Sequence, residues 1–216
     1  MFDIETTGEY KNFGDFKTHD ERGAKLFEAK CKRMGWDQKF STDESYIEQS
    51  GIMSTYGKIC CISFGYLDNN GQKQIRSLYG EDEKDIVEGF NSLLMKIEKK
   101  DFKLSGFRIN YFDITWILHK LHKYGIEPAK IISPYEKKPW DMRIVDISDD
   151  WKGKFAYSYS LDEVAYELCI ESPKENICGS DIHSYYHSGR LEEIRDYCER
   201  DIETCIEIAK KIYGKY

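Results

Sequence analysis

An almost unbroken apolar run, from Ile59 to Tyr66, constrains the fold more than any other segment of this chain. Consecutive apolar residues over such a length predict a β-strand that is buried on both faces. A turn sequence, Asp68 to Gly71, and a second strand, Gln74 to Tyr79, follow it, and together they predict an antiparallel hairpin. Other elements must therefore cover both faces of this hairpin.

After the hairpin, the apolar spacing predicts alternating helices and short strands. The sequence from Ser160 to Glu163 has the form of a capping box and predicts a helix start. Hairpin strands followed by this alternation indicate an α/β fold, a mixed β-sheet flanked by helices. The other predicted elements are a helix from Ile86 to Lys99, a strand from Phe102 to Phe107, a helix from Phe112 to Tyr124, a strand from Ile144 to Asp146 and a helix from Leu191 to Tyr213.

The 216 residues fit a single domain, 1–216, because no repeat or linker marks a boundary. Residues 9–50 are charged and are predicted to be irregular apart from a helix from Asp20 to Arg33. We interpret them as a surface insertion. Such an insertion either covers a site or decorates the surface, and the sequence favours neither role.

Composition narrows the class of protein. A hydrophobic fraction of 40% indicates a globular chain, and a formal net charge of -7 argues against a broad basic face for duplex nucleic acid. No apolar run is long enough to span a bilayer, so we expect a cytoplasmic protein without a membrane partner. The sequence does not indicate an oligomeric state.

Neither a disulfide framework nor a zinc site is predicted. The seven cysteines are odd in number and form no Cys-x-x-Cys pair, which favours reduced and mostly buried thiols. His183 and His187 share a predicted helix face, but no third ligand is evident, and we interpret them as exposed polar residues.

Two carboxylates, Asp3 and Glu5, lie one residue apart in the opening strand. Side chains alternate along a strand, so both carboxylates would point to one face while Phe2, Ile4 and Thr6 point to the other. Adjacent like charges raise each other's pKa unless a cation lies between them. The pair indicates either a divalent metal site or a solvated polar strand end.

Two later carboxylates extend this pattern. Asp113 lies at a strand-to-helix junction, where it either caps the helix or reaches past the sheet edge. Asp201 follows Tyr197 by four residues on the apolar stripe of the last helix, and a carboxylate on a buried stripe needs a partner. The same spacing to an acid occurs at Tyr79 and Tyr159, so only the position on a long C-terminal helix distinguishes the Tyr197 motif.

These motifs resemble those of the DEDD 3'-5' exonucleases: Phe-Asp-Ile-Glu-Thr-Thr-Gly in an N-terminal strand, Phe-Asp at a helix start and Tyr-x-x-x-Asp near the C-terminus. The tyrosine corresponds to the DEDDy branch, because the histidine of the sister branch would stand at Asp196. The chain is also similar to stand-alone bacterial exonucleases related to the proofreading domain of B-family DNA polymerases. That similarity lies in residues 57–63, 138–141, 161–180 and 195–201.

The resemblance implies a ribonuclease H-like fold, two Mg²⁺ or Mn²⁺ ions, and hydrolysis of phosphodiester bonds from a 3' end with release of nucleoside 5'-monophosphates. Asp3 would bridge both ions, Glu5 and Asp201 would hold one, and Asp113 would help to hold the other through water. Tyr197 would orient the attacking water. Donor chemistry agrees, because hard divalent ions prefer oxygen ligands.

The implied partner is a single-stranded or frayed nucleic-acid 3' end, with DNA favoured over RNA. Contacts to it are expected from Thr6, Arg108 and Phe112. The family usually has an asparagine where this chain has Arg108, and the arginine either pairs with a substrate phosphate or lies in solvent.

Asp3 lies unusually early for a residue of a central strand, because two residues precede it. We expect the natural protein to start upstream, and a longer form should then be more stable or more active. The short strand and Arg108 leave open a catalytically silent nucleic-acid-binding module of the same fold. A ribonuclease that trims RNA is also open, since no motif reveals contacts to the 2'-hydroxyl.

Overall fold

An antiparallel sheet joins β1 (Phe2–Gly8), β2 (Gly57–Leu67) and β3 (Lys73–Tyr79) in that spatial order. The structure is a computed structural model that describes residues 1–100, 102–133, 143–154, 157–172 and 177–214. The predicted hairpin is confirmed. Segment 138–141, on which part of the resemblance depends, lies outside the described residues.

A second, parallel pair of strands, β4 (Leu104–Gly106) and β5 (Ile144–Asp146), lies beside β1. Gly106 is in such close contact with β1 that a Cβ there would lie 2.5 Å from the carbonyl oxygen of Phe2. Parallel and antiparallel pairing thus occur side by side, and the predicted mixed α/β architecture is confirmed.

A β-bulge in β2 sets which side chains face each layer. Glu5 pairs with Cys61 and Thr6 with Ile59, so Cys60 is the extra residue. Without this extra residue, Ile59 and Ile62 would point to opposite faces of the sheet. With it, both isoleucines join the core on one face while Cys60 and Cys61 pack together on the other.

Helices cover both faces. On the first face, α4 (Glu83–Ile97) and α5 (Asp113–Lys123) pack their apolar stripes against β1 and β2. On the second face lie α8 (Ile182–Tyr186) and α9 (Leu191–Tyr213). The α9 bounds match the prediction, whereas α4 ends two residues before Lys99. Two short helices, α6 (Ile147–Lys152) and α7 (Leu161–Glu167), complete this layer, and α7 begins with the predicted capping box at Ser160.

The insertion is more regular than predicted. It contains α1 (Phe13–His19), α2 (Glu21–Met34) and α3 (Thr42–Gln49), of which only α2 was expected. Their shared core is mainly aromatic. Short charged helices carry little apolar periodicity, but α3 has a capping box between Ser41 and Glu44 that predicts its start. The buried members of this core are Phe13, Phe16, Ala24, Phe27, Cys31, Tyr46 and Tyr56.

A buried ionic network joins α4, α5 and β2. One oxygen of the Glu83 carboxylate accepts a 2.7 Å hydrogen bond from the Ile59 amide and lies 3.1 Å from Lys120 Nζ. Its other oxygen accepts a 2.7 Å hydrogen bond from the Tyr124 hydroxyl. Glu83 and Lys120 are only 3% and 2% exposed, so folding removes the water that would solvate each charge. Each charge therefore depends on the other for its stabilisation.

The thiols agree with the prediction of a reduced, mostly buried set. All seven cysteines are free, Cys169 is exposed and Cys178 is half-buried, and the others are buried. Among the described helices, none combines the length and the apolar character needed to cross a bilayer.

Candidate active site

β1 presents Asp3 and Glu5 on the face opposite its apolar residues. Phe2 and Ile4 belong to the core with α4 and α5, as the alternation predicts. Asp3 is half-buried, and the Glu5 side chain is only 8% exposed. The alternative of a solvated strand end is therefore wrong for Glu5.

Asp113 reaches this strand from α5. It is the first residue of the helix and 3% exposed, and its carboxylate accepts a 3.0 Å hydrogen bond from the Ile4 amide. No side chain caps α5, so the capping alternative for Asp113 is wrong. Since Ile4 separates Asp3 from Glu5, this bond brings a carboxylate more than a hundred residues away beside the pair.

The last helix contributes Tyr197 and Asp201, which lie one turn apart on α9. Tyr197 is 6% exposed and Asp201 is half-buried. The thiol of Cys198, which follows Tyr197 directly, lies 3.4 Å from Asp3 Oδ2, so this face of α9 is in contact with β1. Burial raises the pKa of Glu5, and the charge of Asp201 adds to that effect. The structure thus brings together the five residues predicted from the motifs.

Burial is the main cause of the unusual acidities. It raises the pKa of Asp3 well above the ordinary value, and the nearby Asp113 charge raises it further. It raises the pKa of Asp113 to about 7. For Glu5, burial acts first and the charges of Asp3 and Asp201 add to it. Carboxylates in this state are neutralised either by protons or by a cation.

The donor set fits divalent cations. Most of the available donors are carboxylate oxygens, the ligands that Mg²⁺ and Mn²⁺ prefer. One candidate donor was not predicted, because the cysteines were expected only to be reduced and mostly buried. Cys198 Sγ lies 3.4 Å from Asp3 Oδ2, and Asp3, Glu5 and Cys198 offer ligand atoms within 4.8 Å of one another. Its position next to Tyr197 and one turn before Asp201 was the available signal.

The middle motif has an unusual backbone at Arg108. Its φ is 62°, in the left-handed region where asparagine is tolerated better than most residues. The Asp146 carboxylate holds this turn by accepting hydrogen bonds from the amides of Arg108 and Asn110, at 2.9 and 3.0 Å. Asp146 was predicted only as a strand residue, and its side chain orders the turn that precedes Asp113. The Arg108 side chain is exposed.

The other two residues expected to contact nucleic acid are half-buried. The Thr6 hydroxyl donates a hydrogen bond to the Gly51 carbonyl, and the Phe112 ring packs against Trp116 with centroids 5.6 Å apart. Contact of either residue with substrate stays a prediction.

His183 and His187 are not exposed as expected. His183 is buried, and its Nε2 donates to the Lys11 carbonyl at 2.9 Å, which leaves Nδ1 to accept from the Thr7 hydroxyl at 3.2 Å. His187 is half-buried, and its Nε2 lies 3.2 Å from the Gly8 carbonyl. The two rings fasten α8 to the end of β1.

Comparisons with known proteins agree with this arrangement. A family model described as the RNase_H superfamily matches residues 46–213, a range that includes Asp113 and Asp201 but not Asp3 or Glu5. The protein "Putative DNA polymerase 060R" of Frog virus 3 (isolate Goorha) is 21% identical over 155 residues, which are 60% of this chain and 15% of the viral protein. The family B DNA polymerase from the hyperthermophilic archaeon Pyrobaculum calidifontis has a TM-score of 0.54 at 15% identity, covering 98% of this chain and 24% of the polymerase. The structural likeness shows a shared fold with part of that larger enzyme.

Proposed function

The chain belongs to the RNase H superfamily, and from this premise we propose that it is a metal-dependent 3'-5' exonuclease of the DEDDy type. The observation that carries the proposal is the approach of two helices to the Asp3 and Glu5 pair of β1: Asp113 of α5 bonds the Ile4 amide, and α9 contacts Asp3 through Cys198, one turn before Asp201. Four acidic side chains in one partly buried site are unstable without a counter-charge.

Asp3, Glu5, Asp113 and Asp201 would hold two divalent cations, Mg²⁺ or Mn²⁺. The chemistry that such a pair supplies when bound is stabilisation of both the attacking and the leaving oxygen in an in-line displacement at phosphorus. The Ile4 amide fixes the orientation of the Asp113 carboxylate by its hydrogen bond, so this ligand is preorganised before any cation binds.

Tyr197 would orient the attacking water. Burial, followed by the charges of Glu5, Asp201 and Asp3, raises the pKa of its phenol. The hydroxyl therefore keeps its proton at neutral pH, and it can hydrogen-bond a water molecule but cannot serve as the general base.

We propose a 3' end of single-stranded or frayed DNA as the substrate. Both compared proteins are named as DNA polymerases. An active site that grips a few nucleotides by stacking and by contacts near the scissile phosphate tolerates a net charge of -7.

Digestion of 5'-labelled single-stranded DNA and RNA, in Mg²⁺ or Mn²⁺, tests this function. The expected products are a ladder that shortens from the 3' end and free nucleoside 5'-monophosphates. Asp201→Ala should abolish digestion, and Tyr197→Phe should slow it on the order of 10²-fold, since one preorganised hydroxyl is lost.

Glu203→Gln is the matched control, because Glu203 is an exposed carboxylate on the same helix. It should leave the rate unchanged. Equal digestion by the wild type and by folded Asp201→Ala would assign the activity to a contaminant and refute the proposal, as would a ladder that shortens from the 5' end of 3'-labelled strands.

A further inference from the structure

The Cys198 thiol lies beside the carboxylates of the proposed metal site. Its Sγ is 3.4 Å from Asp3 Oδ2 and 3.6 Å from the Asp3 carbonyl oxygen. Within the described chain, Asp3, Glu5 and Cys198 form the one group of three acidic, cysteine or histidine side chains whose ligand atoms all lie within 4.8 Å of one another. Two oxygens and one sulfur are thus close enough to one another to share a cation.

The Glu5 carboxylate supplies independent support. Glu5 is 8% exposed, and among the described residues the causes that act on its pKa are burial and the charges of acidic groups and a thiol, with no basic group among them. A carboxylate that is nine-tenths buried without a basic partner requires a cation or a proton. The charges that act on it come from acidic groups and thiols, so the protein itself supplies no compensation.

We propose that Cys198 Sγ is a ligand of the cation position formed with Asp3 and Glu5, and that this position prefers a thiophilic divalent cation of the Zn²⁺ class over Mg²⁺. The inference rests on the proposed function, because it specifies which cation one of the two positions takes. Thiolate sulfur selects Zn²⁺-like ions, whereas an all-carboxylate site suits Mg²⁺. When the sulfur binds, the thiol proton passes to solvent.

Neighbouring thiols do not share this geometry. Cys61 pairs with Glu5 across the ladder, but its sulfur lies 3.7 Å from the Ser63 hydroxyl and does not belong to the ligand group. It is as fully buried as Cys198. Cys61 also hydrogen-bonds the Cys198 thiol, so Cys61→Ser is a control for the loss of a buried thiol that contacts Cys198 without belonging to the ligand group.

Cd²⁺ is the probe, because a Cd²⁺–thiolate bond gives an ultraviolet charge-transfer band that oxygen ligands do not give. The reference protein carries Cys169→Ser and Cys178→Ser, which remove the accessible thiols. Titration should give a band that saturates at a single Cd²⁺ per chain, and the band should persist in Cys61→Ser.

Cys198→Ser and Cys198→Ala in this background should lose the band. Cd²⁺ affinity should fall by at least about tenfold while Mg²⁺ affinity changes by less than about threefold, because only the soft ion uses the sulfur. The cadmium NMR shift of the reference protein distinguishes sulfur from all-oxygen ligation without a change at position 198. A band that survives both substitutions, an equal loss of Cd²⁺ and Mg²⁺ affinity, or an all-oxygen shift would overturn the inference.

The two proposals fail separately. If digestion depends on Mg²⁺ and on Asp201 but no Cys198-dependent band is seen, the exonuclease proposal is supported and the proposal of a sulfur ligand is refuted. If a Cys198-dependent band is seen in a protein that digests neither DNA nor RNA, the sulfur ligand is supported and the exonuclease proposal is refuted.

Discussion

The Asp113 carboxylate accepts a hydrogen bond from the Ile4 amide, at 3.0 Å, across a separation of 109 residues. This bond fixes the first turn of α5 to the strand that carries Asp3 and Glu5. The same side chain thus orders the backbone of β1 and adds a negative charge beside it, which raises the pKa of Asp3. These two effects oppose each other in the cation-free protein.

Substitutions at Asp113 should separate the two effects. Asp113→Asn keeps an oxygen for the Ile4 amide and removes the charge, so we expect it to be at least as stable as the wild type in the presence of a chelator. Asp113→Ala leaves that amide buried without an acceptor, and we expect it to be less stable than Asp113→Asn by about 1–3 kcal/mol. Urea unfolding measures the difference, and equal stability of the two variants would contradict the role of the hydrogen bond. Neither variant should digest DNA.

Gly106 should tolerate no side chain, because a Cβ would lie 2.5 Å from both the Phe2 carbonyl oxygen and Ile109 Cγ2. Gly106→Ala must separate β4 from β1, and we expect a loss of about 1–3 kcal/mol in the free energy of unfolding. The displaced strand leads into Asp113, so the digestion rate should fall as well. Gly179→Ala is the control, since a Cβ there meets no atom within 4 Å. Equal effects of the two substitutions would refute the steric argument.

The buried Glu83 and Lys120 pair should behave as a coupled unit. Glu83→Ala strands the Lys120 charge in the interior, and we expect it to destabilise the protein by about 3–5 kcal/mol. Replacing both residues, as Glu83→Leu with Lys120→Met, should cost much less than the sum of the single changes. A double-mutant cycle from urea unfolding measures this coupling, and additive single effects would show that the two charges are solvated independently.

The free energy of unfolding should decrease as the pH is lowered, and we expect His187 to be one cause. Burial, and then repulsion from His183, lower its pKa from 6.5 to about 4 in the folded protein. Between these two pH values the unfolded chain binds a proton at His187 that the folded chain does not bind. The contribution of His187 to the free energy of unfolding is therefore complete above pH 6.5 and is lost as the pH falls towards 4. Free energies of unfolding across this window should show a shallower slope for His187→Gln. A slope that His187→Gln retains in full would exclude this residue as the source.

The sequence predicted the elements that have strong apolar periodicity. The hairpin and α9 agree with their predicted ranges because long apolar stripes leave few alternatives. The helices α1 and α3 were missed because they are short and charged and are stabilised by aromatic contacts from distant residues. The bulge at Cys60 was not predicted either, since it arises from pairing with β1 and not from a local pattern.

In the candidate site, too, local patterns in the sequence were predictive and contacts across the fold were not. The acidic residues were recognisable from motif order, and the structure brings them together. Cys198 and Asp146 were not recognised, because their roles depend on contacts across the fold, with Asp3 in one case and with the Arg108 turn in the other. The two histidines were misassigned as exposed because helix spacing alone cannot show what packs over a helix.

The chain leaves the sheet after Gly8, passes through the insertion and returns at Gly57, and these two glycines are partners in the ladder between β1 and β2. The entrance and exit of the insertion therefore stand side by side, like the stems of an ordinary hairpin loop, while its aromatic side chains pack mainly on one another. Changes of length at the exposed tips of this segment would therefore leave the strand ends in register, provided that the hydrogen bonds of Gly51 with Thr6 and of Lys11 with His183 are kept.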